Sequence, residues 1–339
     1  MSDEPLPAGK LPLEMLANLL RCCPTEDPRV LVGPGVGEDA AAIDMGDRWL
    51  VAKSDPITFA TDRIGWYAVH VNANDLAVSG ATPRWLLVTL LLPEGQATER
   101  QARAIMEQVA AGCRSLGITL VGGHTEVTCD LTRPIVVGHM LGEVAPRRLV
   151  RSGGARVGDV ILQVGGVAVE GTALIARERP AEARRRGVDE ATLERARGYL
   201  DDPGISVVRA ARIAIETAHP HAMHDPTEGG LATALHELAW ASGVGLEVDG
   251  DAILVLPACR RLAGAFGLDP LGLIASGALL VTAADGDAAS LGAAYDRAGI
   301  PWARIGWVTA REEGLRLLRA GAEAPLPRFD RDEITRILS

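Results

Sequence analysis

Five short segments hold the residues whose types and spacing could do chemistry. The first runs Val32-Gly33-Pro34-Gly35-Val36-Gly37-Glu38-Asp39. Its glycines let backbone N–H groups approach phosphates, and the adjoining carboxylate can hold Mg²⁺. No Gly-Lys-Ser/Thr follows, and the next run has strand character, so neither a P-loop nor a dinucleotide fingerprint fits. A flexible surface turn accounts for the same glycines. The second segment, Val51-Ala52-Lys53-Ser54-Asp55-Pro56, ends an apolar strand in a cation, a hydroxyl and a carboxylate. An exposed turn with Ser54 and Asp55 satisfying local backbone is the alternative. Lys53 is one of two lysines among 34 basic residues, which favours a role that needs a compact point charge.

The third segment, Val69-His70-Val71-Asn72-Ala73-Asn74-Asp75-Leu76-Ala77-Val78, has helical spacing that ends at Gly80 and Pro83. Asn and Asp side chains compete for backbone groups inside a helix. Asn72, Asn74 and Asp75 together therefore cost helix stability, which favours a ligand or metal site over a solvated face. Asn72 and Asp75, at i and i+3, project from one side. The fourth, Leu120-Val121-Gly122-Gly123-His124-Thr125-Glu126, suggests a buried strand running into a site at its carboxyl end. A structural histidine is equally compatible. In the fifth, His221 to Leu231, Asp225 fits an N-cap, Pro226 the first helical position and Glu228 the third. Capping does not require Gly229-Gly230, which weaken a helix start by about 1 kcal/mol each. They do open the helix N-terminus to an anion such as phosphate. His219, His221 and His224 have no Cys or fourth ligand nearby, so zinc is not expected.

Alternating elements must position these segments. Periodicity predicts helices over 10–23, 64–80, 97–116, 167–178, 189–199, 206–218, 228–242, 258–266 and 286–298. Strands are predicted near 40–43, 49–52, 85–92, 118–122, 134–144, 160–164, 244–248, 278–283 and 303–308. A glycine-rich run from Arg151 to Asp159 marks a junction between two mixed α/β domains, 1–150 and 151–339. The length of 339 residues agrees with a prior of about 150 per domain. With 47% hydrophobic and 23% charged residues the chain can bury a core, which excludes disorder. A net charge of −10 argues against a nucleic-acid partner. The longest uncharged apolar stretch, Leu271 to Ala284, falls short of the roughly 20 residues that span a membrane. The acidic, proline-broken start Met1-Ser2-Asp3-Glu4-Pro5 is unlike a signal peptide. Five cysteines, including adjacent Cys22-Cys23, show no C-x-x-C spacing and suit reduced thiols. A cytoplasmic protein with no membrane partner is expected.

In this order and spacing the five segments resemble the superfamily that contains aminoimidazole ribonucleotide synthetase (PurM), selenophosphate synthetase, thiamine-monophosphate kinase and the hydrogenase-maturation protein HypE. The resemblance covers about residues 10–320 and is strongest to HypE. It rests on Asn74-Asp75-Leu76-Ala77-Val78 with Gly80-Ala81 and Pro83, and on His221-Ala222-Met223 with Asp225-Pro226-Thr227. It implies a two-domain α/β (α+β) fold whose N-terminal domain dimerises, forming a β-barrel from both subunits. It also implies ATP in a cleft between the domains and Mg²⁺ on Asp39, Asp55 and Asp75. Gly33, Gly35, Gly37, Asn72, Asn74, Gly122, Gly123, Thr227, Gly229 and Gly230 would surround the nucleotide. Lys53, His124 and Asp225 would be catalytic. The implied reaction phosphorylates or activates a small amide- or carbonyl-bearing substrate, with Mg²⁺ neutralising charge on the transferring group. A thiamine-monophosphate-kinase-like enzyme and a non-catalytic nucleotide-binding maturation scaffold are the alternatives.

Three positions depart from HypE. HypE ends in a cysteine carrying the carboxamide that it dehydrates, whereas this chain ends Ile337-Leu338-Ser339. The Gly-Asp-Thr of HypE is Gly123-His124-Thr125 here, and its Glu-Gly element is Ser276-Gly277. The acceptor thiol and a proton-handling carboxylate are therefore expected to be missing, so that no thiocyanate forms on the chain's own tail.

Overall fold

The computed structural model describes residues 10–22 and 25–338. Six strands form the first sheet: Val30–Val32 (β1), Ala41–Asp44 (β2), Trp49–Ile57 (β3), Thr82–Pro93 (β4), Thr119–Thr128 (β5) and Ile135–Val144 (β6). Their order is β1-β2-β3-β6-β4-β5, antiparallel except for the parallel pair β4–β5. A parallel pair needs a crossover, which the Glu99–Leu116 helix supplies. Thr98 caps that helix at the Gln101 N–H, and Gly117 ends it in the left-handed conformation.

The Ile64–Val78 helix lies across this sheet and is buried at every position except Trp66. A helix apolar all round needs cover all round. The sheet supplies one side, the Glu99–Leu116 helix another, and the Val208–Thr217 helix of the second half a third. Fully buried side chains such as Tyr67, Val69 and Leu76 each contribute roughly 1.5–3 kcal/mol of hydrophobic stabilisation.

The second half is built on Val160–Val164 (β7), Ala222–His224 (β8), Gly245–Asp249 (β9), Leu279–Ala283 (β10), Trp302–Thr309 (β11), Leu315–Arg319 (β12) and Ala322–Pro325 (β13). These follow the order β13-β12-β9-β11-β7-β10-β8. Every residue of β7 and β10 is buried, as expected of central strands covered on both faces. The predicted helices are present, with ends displaced by a few residues. The short strands β8, β12 and β13 and the Pro180–Arg185 helix carry too few residues for their periodicity to stand out.

Two expectations need correction. β3 continues to Ile57, so Lys53, Ser54 and Asp55 lie inside a strand, where β6 pairs with all of it, and not at a strand end. β5 continues to Thr128, so Gly122, Gly123 and His124 are strand interior, and the strand is an exposed sheet edge. Neither sheet closes on itself within the single chain: among the described residues β1 and β5 end the first sheet, and the expected barrel is one that two subunits would form together. The Cys22-Cys23 pair is only half described; Cys22 is exposed and Cys23 lies outside the described residues. Among the described residues no helix is long and apolar enough to cross a membrane.

Asn74 ties the buried helix to the second half. Its Nδ2 donates to the Ile205 carbonyl at 2.8 Å, and its Oδ1 accepts from the Val207 N–H at 2.8 Å. Asn74→Ala should strand both backbone groups and lower stability by about 2–4 kcal/mol, read from urea unfolding. Asn74→Asp restores only the acceptor and should not rescue it.

Candidate functional site

Strand alternation puts Val51, Lys53, Asp55 and Ile57 on the helix-facing side of β3. β2 pairs no further than Ala41 opposite Ala52, so beyond that point one edge of β3 is open, and Pro56 is tolerated there. Opposite Asp55 stands Gly138, where a Cβ would come within 2.3 Å of Asn72 Nδ2. The missing side chain lets Asn72 bond the Asp55 carbonyl at 3.2 Å and the Ala68 carbonyl at 2.9 Å. Asn72 therefore sets the backbone of Asp55. One turn along the helix, Asp75 Oδ2 lies 3.3 Å from the Lys53 ammonium, and Asp55 Oδ2 lies 4.0 Å from it.

The glycine-rich loop brings a third carboxylate from the opposite side. Asp39 Oδ2 accepts from Ser152 Oγ at 2.7 Å and meets His224 Nδ1 at 2.8 Å. His224 Nε2 faces Glu237 Oε2 at 3.0 Å, and the other Glu237 oxygen faces the Lys10 ammonium at 3.3 Å. Asp225 follows His224 at the end of β8, and ligand atoms of Asp39, His224 and Asp225 all lie within 4.8 Å of one another. Neither carboxylate oxygen of Asp225 has a hydrogen-bond partner, and both are buried. Asp75 Oδ2 has none besides its ion pair with Lys53.

Burial acts against the Lys53 ammonium, but Asp75, Asp55, Asp39 and Asp225 outweigh it and hold its pKa above the usual lysine value. Burial is the main reason that the acids are pushed up: Asp55 above its ordinary value, Asp75 well above it, and Asp225 to about 7. Lys53 opposes the rise in each, while neighbouring carboxylates add to it. Burial also acts against the His224 imidazolium, yet Asp39 and Glu237 raise its pKa well above the ordinary value. Both ring nitrogens face carboxylate oxygens, the geometry of an imidazolium that bridges Asp39 and Glu237. Lys10 and His224 overcome the burial of Glu237 and draw its pKa down to about 2.

Lys53 thus pairs with Asp75 and Asp55 and feels the charge of Asp39 and Asp225, while both Asp225 oxygens have no partner among the described residues. Buried like charges of this kind are costly without a counter-ion. Hard oxygen donors with no thiolate among them fit Mg²⁺.

The structure brings Lys53, Asp39, Asp55, Asp75, Asn72 and Asp225 together. Asn74 is not among them, being consumed by its backbone bonds. His124 lies on β5, which is separated from β3 by β6 and β4, and it pairs with Glu126 at 3.0 Å. Its register partner is Thr89, on the face of the sheet away from the Ile64–Val78 helix, so Gly122, Gly123 and His124 do not reach this chain's own cluster. Asp225 is not a cap: the Gly230–Ser242 helix has Gly229 at its N-cap, and the carboxylate stays unpaired upstream. Gly230 has φ +66° and sits against the Leu271 carbonyl, while the Gly229 N–H is taken by Asp332 at 2.7 Å. Gly33, Gly35 and Gly37 form the loop that carries Asp39, and Gly37 packs on the Gly230–Ser242 helix. The Thr227 carbonyl accepts from Gly230 and Ala275.

Sequence reasoning missed Ser152, His224 as a bridge, Glu237 and Lys10. Only Lys10 carried a signal, being the other lysine of the chain. A cavity of about 890 Å³ lies beyond Glu237 and is also lined by Glu228, Gly229, Trp240 and Arg328. It adjoins the cluster without including Asp55 or Asp75.

Two family models match the chain: AIR synthase related protein, N-terminal domain, over residues 37–144, and AIR synthase related protein, C-terminal domain, over residues 156–317. A carbamoyl dehydratase HypE from Cupriavidus necator is 33% identical over 267 residues, covering 76% of this chain and 72% of that protein. A crystal structure of HypE in complex with ATP matches with a TM-score of 0.71 at 25% identity, over 94% of this chain and 91% of the other. Thiamine monophosphate kinase from Aquifex aeolicus shares the fold, with a TM-score of 0.68 at 19% identity over 92% of this chain and 98% of the other. The chain belongs to the AIR synthase related family, has the PurM-like α/β fold, and counts HypE carbamoyl dehydratases among its relatives.

Proposed function

We propose that this protein is an ATP- and Mg²⁺-dependent enzyme that phosphorylates or activates the oxygen of a small amide- or carbonyl-bearing substrate. The observation that carries this reading is the convergence of Asp39, Asp55, Asp75 and Asp225 on Lys53, with buried carboxylate oxygens left unpaired. The names of the relatives, a carbamoyl dehydratase and a HypE bound to ATP, agree with it. Mg²⁺ held by Asp39, Asp55, Asp75 and Asp225 would neutralise charge on a transferring phosphoryl group. Asp225 is thereby assigned to the carboxylate set and not to proton transfer. Lys53 offers a fixed cation to an anionic ligand, its position set by Asp75. Ser152 and His224 hold Asp39 through one oxygen only, which leaves the other outside those bonds.

The reading includes a homodimer. Thr119 to Val127 of β5 are all exposed, with Leu120, Val121 and Val127 among the large apolar side chains in water. The face of the sheet turned away from the helix carries Leu87, Leu91, Val137 and Leu141, all half-buried. An apolar unpaired edge is an association surface. A second copy seated there would complete a barrel and give Gly122, Gly123 and His124 a site to face across the interface.

Four outcomes test this reading. A non-hydrolysable ATP analogue with Mg²⁺ at about 100 times its Kd should stabilise the protein by about 2.7 kcal/mol and raise the melting temperature by a few degrees. Asp75→Asn should abolish that rise. Phosphate release from ATP should increase with a primary-amide acceptor, whereas nucleotide binding with no release toward any acceptor would favour the scaffold reading. Sedimentation should show a dimer that Val127→Arg converts to monomer, with activity falling alongside.

A further inference from the structure

A cavity of about 300 Å³ lies between the two halves of the molecule, and no member of the carboxylate–lysine cluster lines it. That volume suits a small organic molecule. One wall is the end of the Ile64–Val78 helix and the turn that follows it, and the other is the Val208–Thr217 helix. Much of the lining is apolar: Ala77, Ala81 and Val144 are buried, and Leu116 and Ile215 are half-buried.

Two exposed arginines share this lining, Arg148 from the first half and Arg212 from the second. The backbone of Arg148 is held against the first sheet's helix. Gly80, at φ +85°, permits the approach, since a Cβ there would come within 2.6 Å of the Arg148 carbonyl. The Val150 N–H donates to the Ser79 carbonyl at 3.0 Å, and the Arg148 N–H to the Ala145 carbonyl at 3.0 Å. Arg212 stands one turn inside a helix whose entry, at Val207, is fixed by Asn74. Each arginine is thus carried by a different half on a fixed backbone.

Among the described residues neither guanidinium forms an ion pair. Glu143, which also lines the groove, is matched by Arg48 at 3.0 Å and Arg84 at 3.7 Å. Glu216 lines it too, one turn beyond Arg212, without pairing to it. Four arginines therefore stand against two carboxylates here, on a chain whose net charge is −10. The planar fork of arginine matches a carboxylate or a phosphate, and two such forks beside apolar surface recognise an anion with a carbon body.

We infer that this groove binds a small organic anion, with its anionic head between Arg148 and Arg212 and its carbon body on the apolar lining. The inference goes beyond the proposed function and does not depend on it. Because the two guanidiniums belong to different halves, an anion between them draws the halves together. It adds to the tie that Asn74 makes to Ile205 and Val207. A ligand that needs both walls also suppresses their local separation.

The test titrates the full chain by calorimetry, without Mg²⁺ or nucleotide. The probes are benzoate and phenyl phosphate, with benzyl alcohol as the neutral counterpart. At least one anion should bind at one site per chain and benzyl alcohol should not, and the tighter of the two anions identifies the head group. Arg148→Gln and Arg212→Gln should each weaken that binding by about 10-fold. Both side chains are exposed, so both variants should keep the wild-type melting temperature. The bound anion should slow hydrogen exchange in residues 77–83 and in the Val208–Thr217 helix while leaving β5 unchanged. Binding should persist in Asp75→Asn, so failure at the nucleotide site and failure here are read separately. Absence of binding by either anion at millimolar concentration overturns the inference. So does equal binding of benzyl alcohol, or anion binding that both arginine variants leave intact. Protection from exchange that avoids both walls overturns the placement between the halves.

Discussion

The constraint on which the rest depends is electrostatic: four carboxylates are held around one lysine in a place with little water. Lys53 and the His224 imidazolium offset only part of that charge, and Glu237 is already matched by Lys10. Mutual repulsion would push Asp39, Asp55, Asp75 and Asp225 apart unless the backbone forbids it. The fold forbids it by taking them from four elements that packing fixes independently. They come from the glycine-rich loop, β3, the buried helix and the end of β8. The energy stored in that arrangement is available to any cation that enters, and in this way a folded chain pre-organises a charged site.

Two ties keep the halves of the molecule in register around the cluster. Asn74 spends its whole amide on the segment from Ile205 to Val207, so the helix that bears Asp75 moves with the second half. The chain of contacts Lys10–Glu237–His224–Asp39–Ser152 closes the other side and pins the glycine-rich loop. Asn72 performs the same service within the first half, between helix and strand. Positioning here relies on amides and ion pairs that cross between elements. Such contacts are worth more in a low-dielectric interior than on a surface.

Much of this was legible in the sequence, and the exceptions have physical causes. Asn72 and Asp75 stood out because polar residues inside an apolar helix contradict local preference, and Lys53 because the chain otherwise uses arginine. Gly122-Gly123-His124 misled because paired glycines imitate a strand end; β4, which keeps β5 extended past them, is distant in sequence. Asp225 imitated an N-cap because caps and ligands use the same oxygen-bearing side chains. Glu237 left no trace, since it is a single acid in an apolar run and acquires its setting from His224 and from Lys10, more than two hundred positions away.

The Ile64–Val78 helix has almost no surface of its own: fourteen of its fifteen residues are buried. Chemistry and architecture are therefore written in the same short stretch of polypeptide, and drift in that stretch is penalised twice. A single side-chain change there would disturb the packing and the charge cluster at once, because no residue of the helix but Trp66 has solvent to yield into.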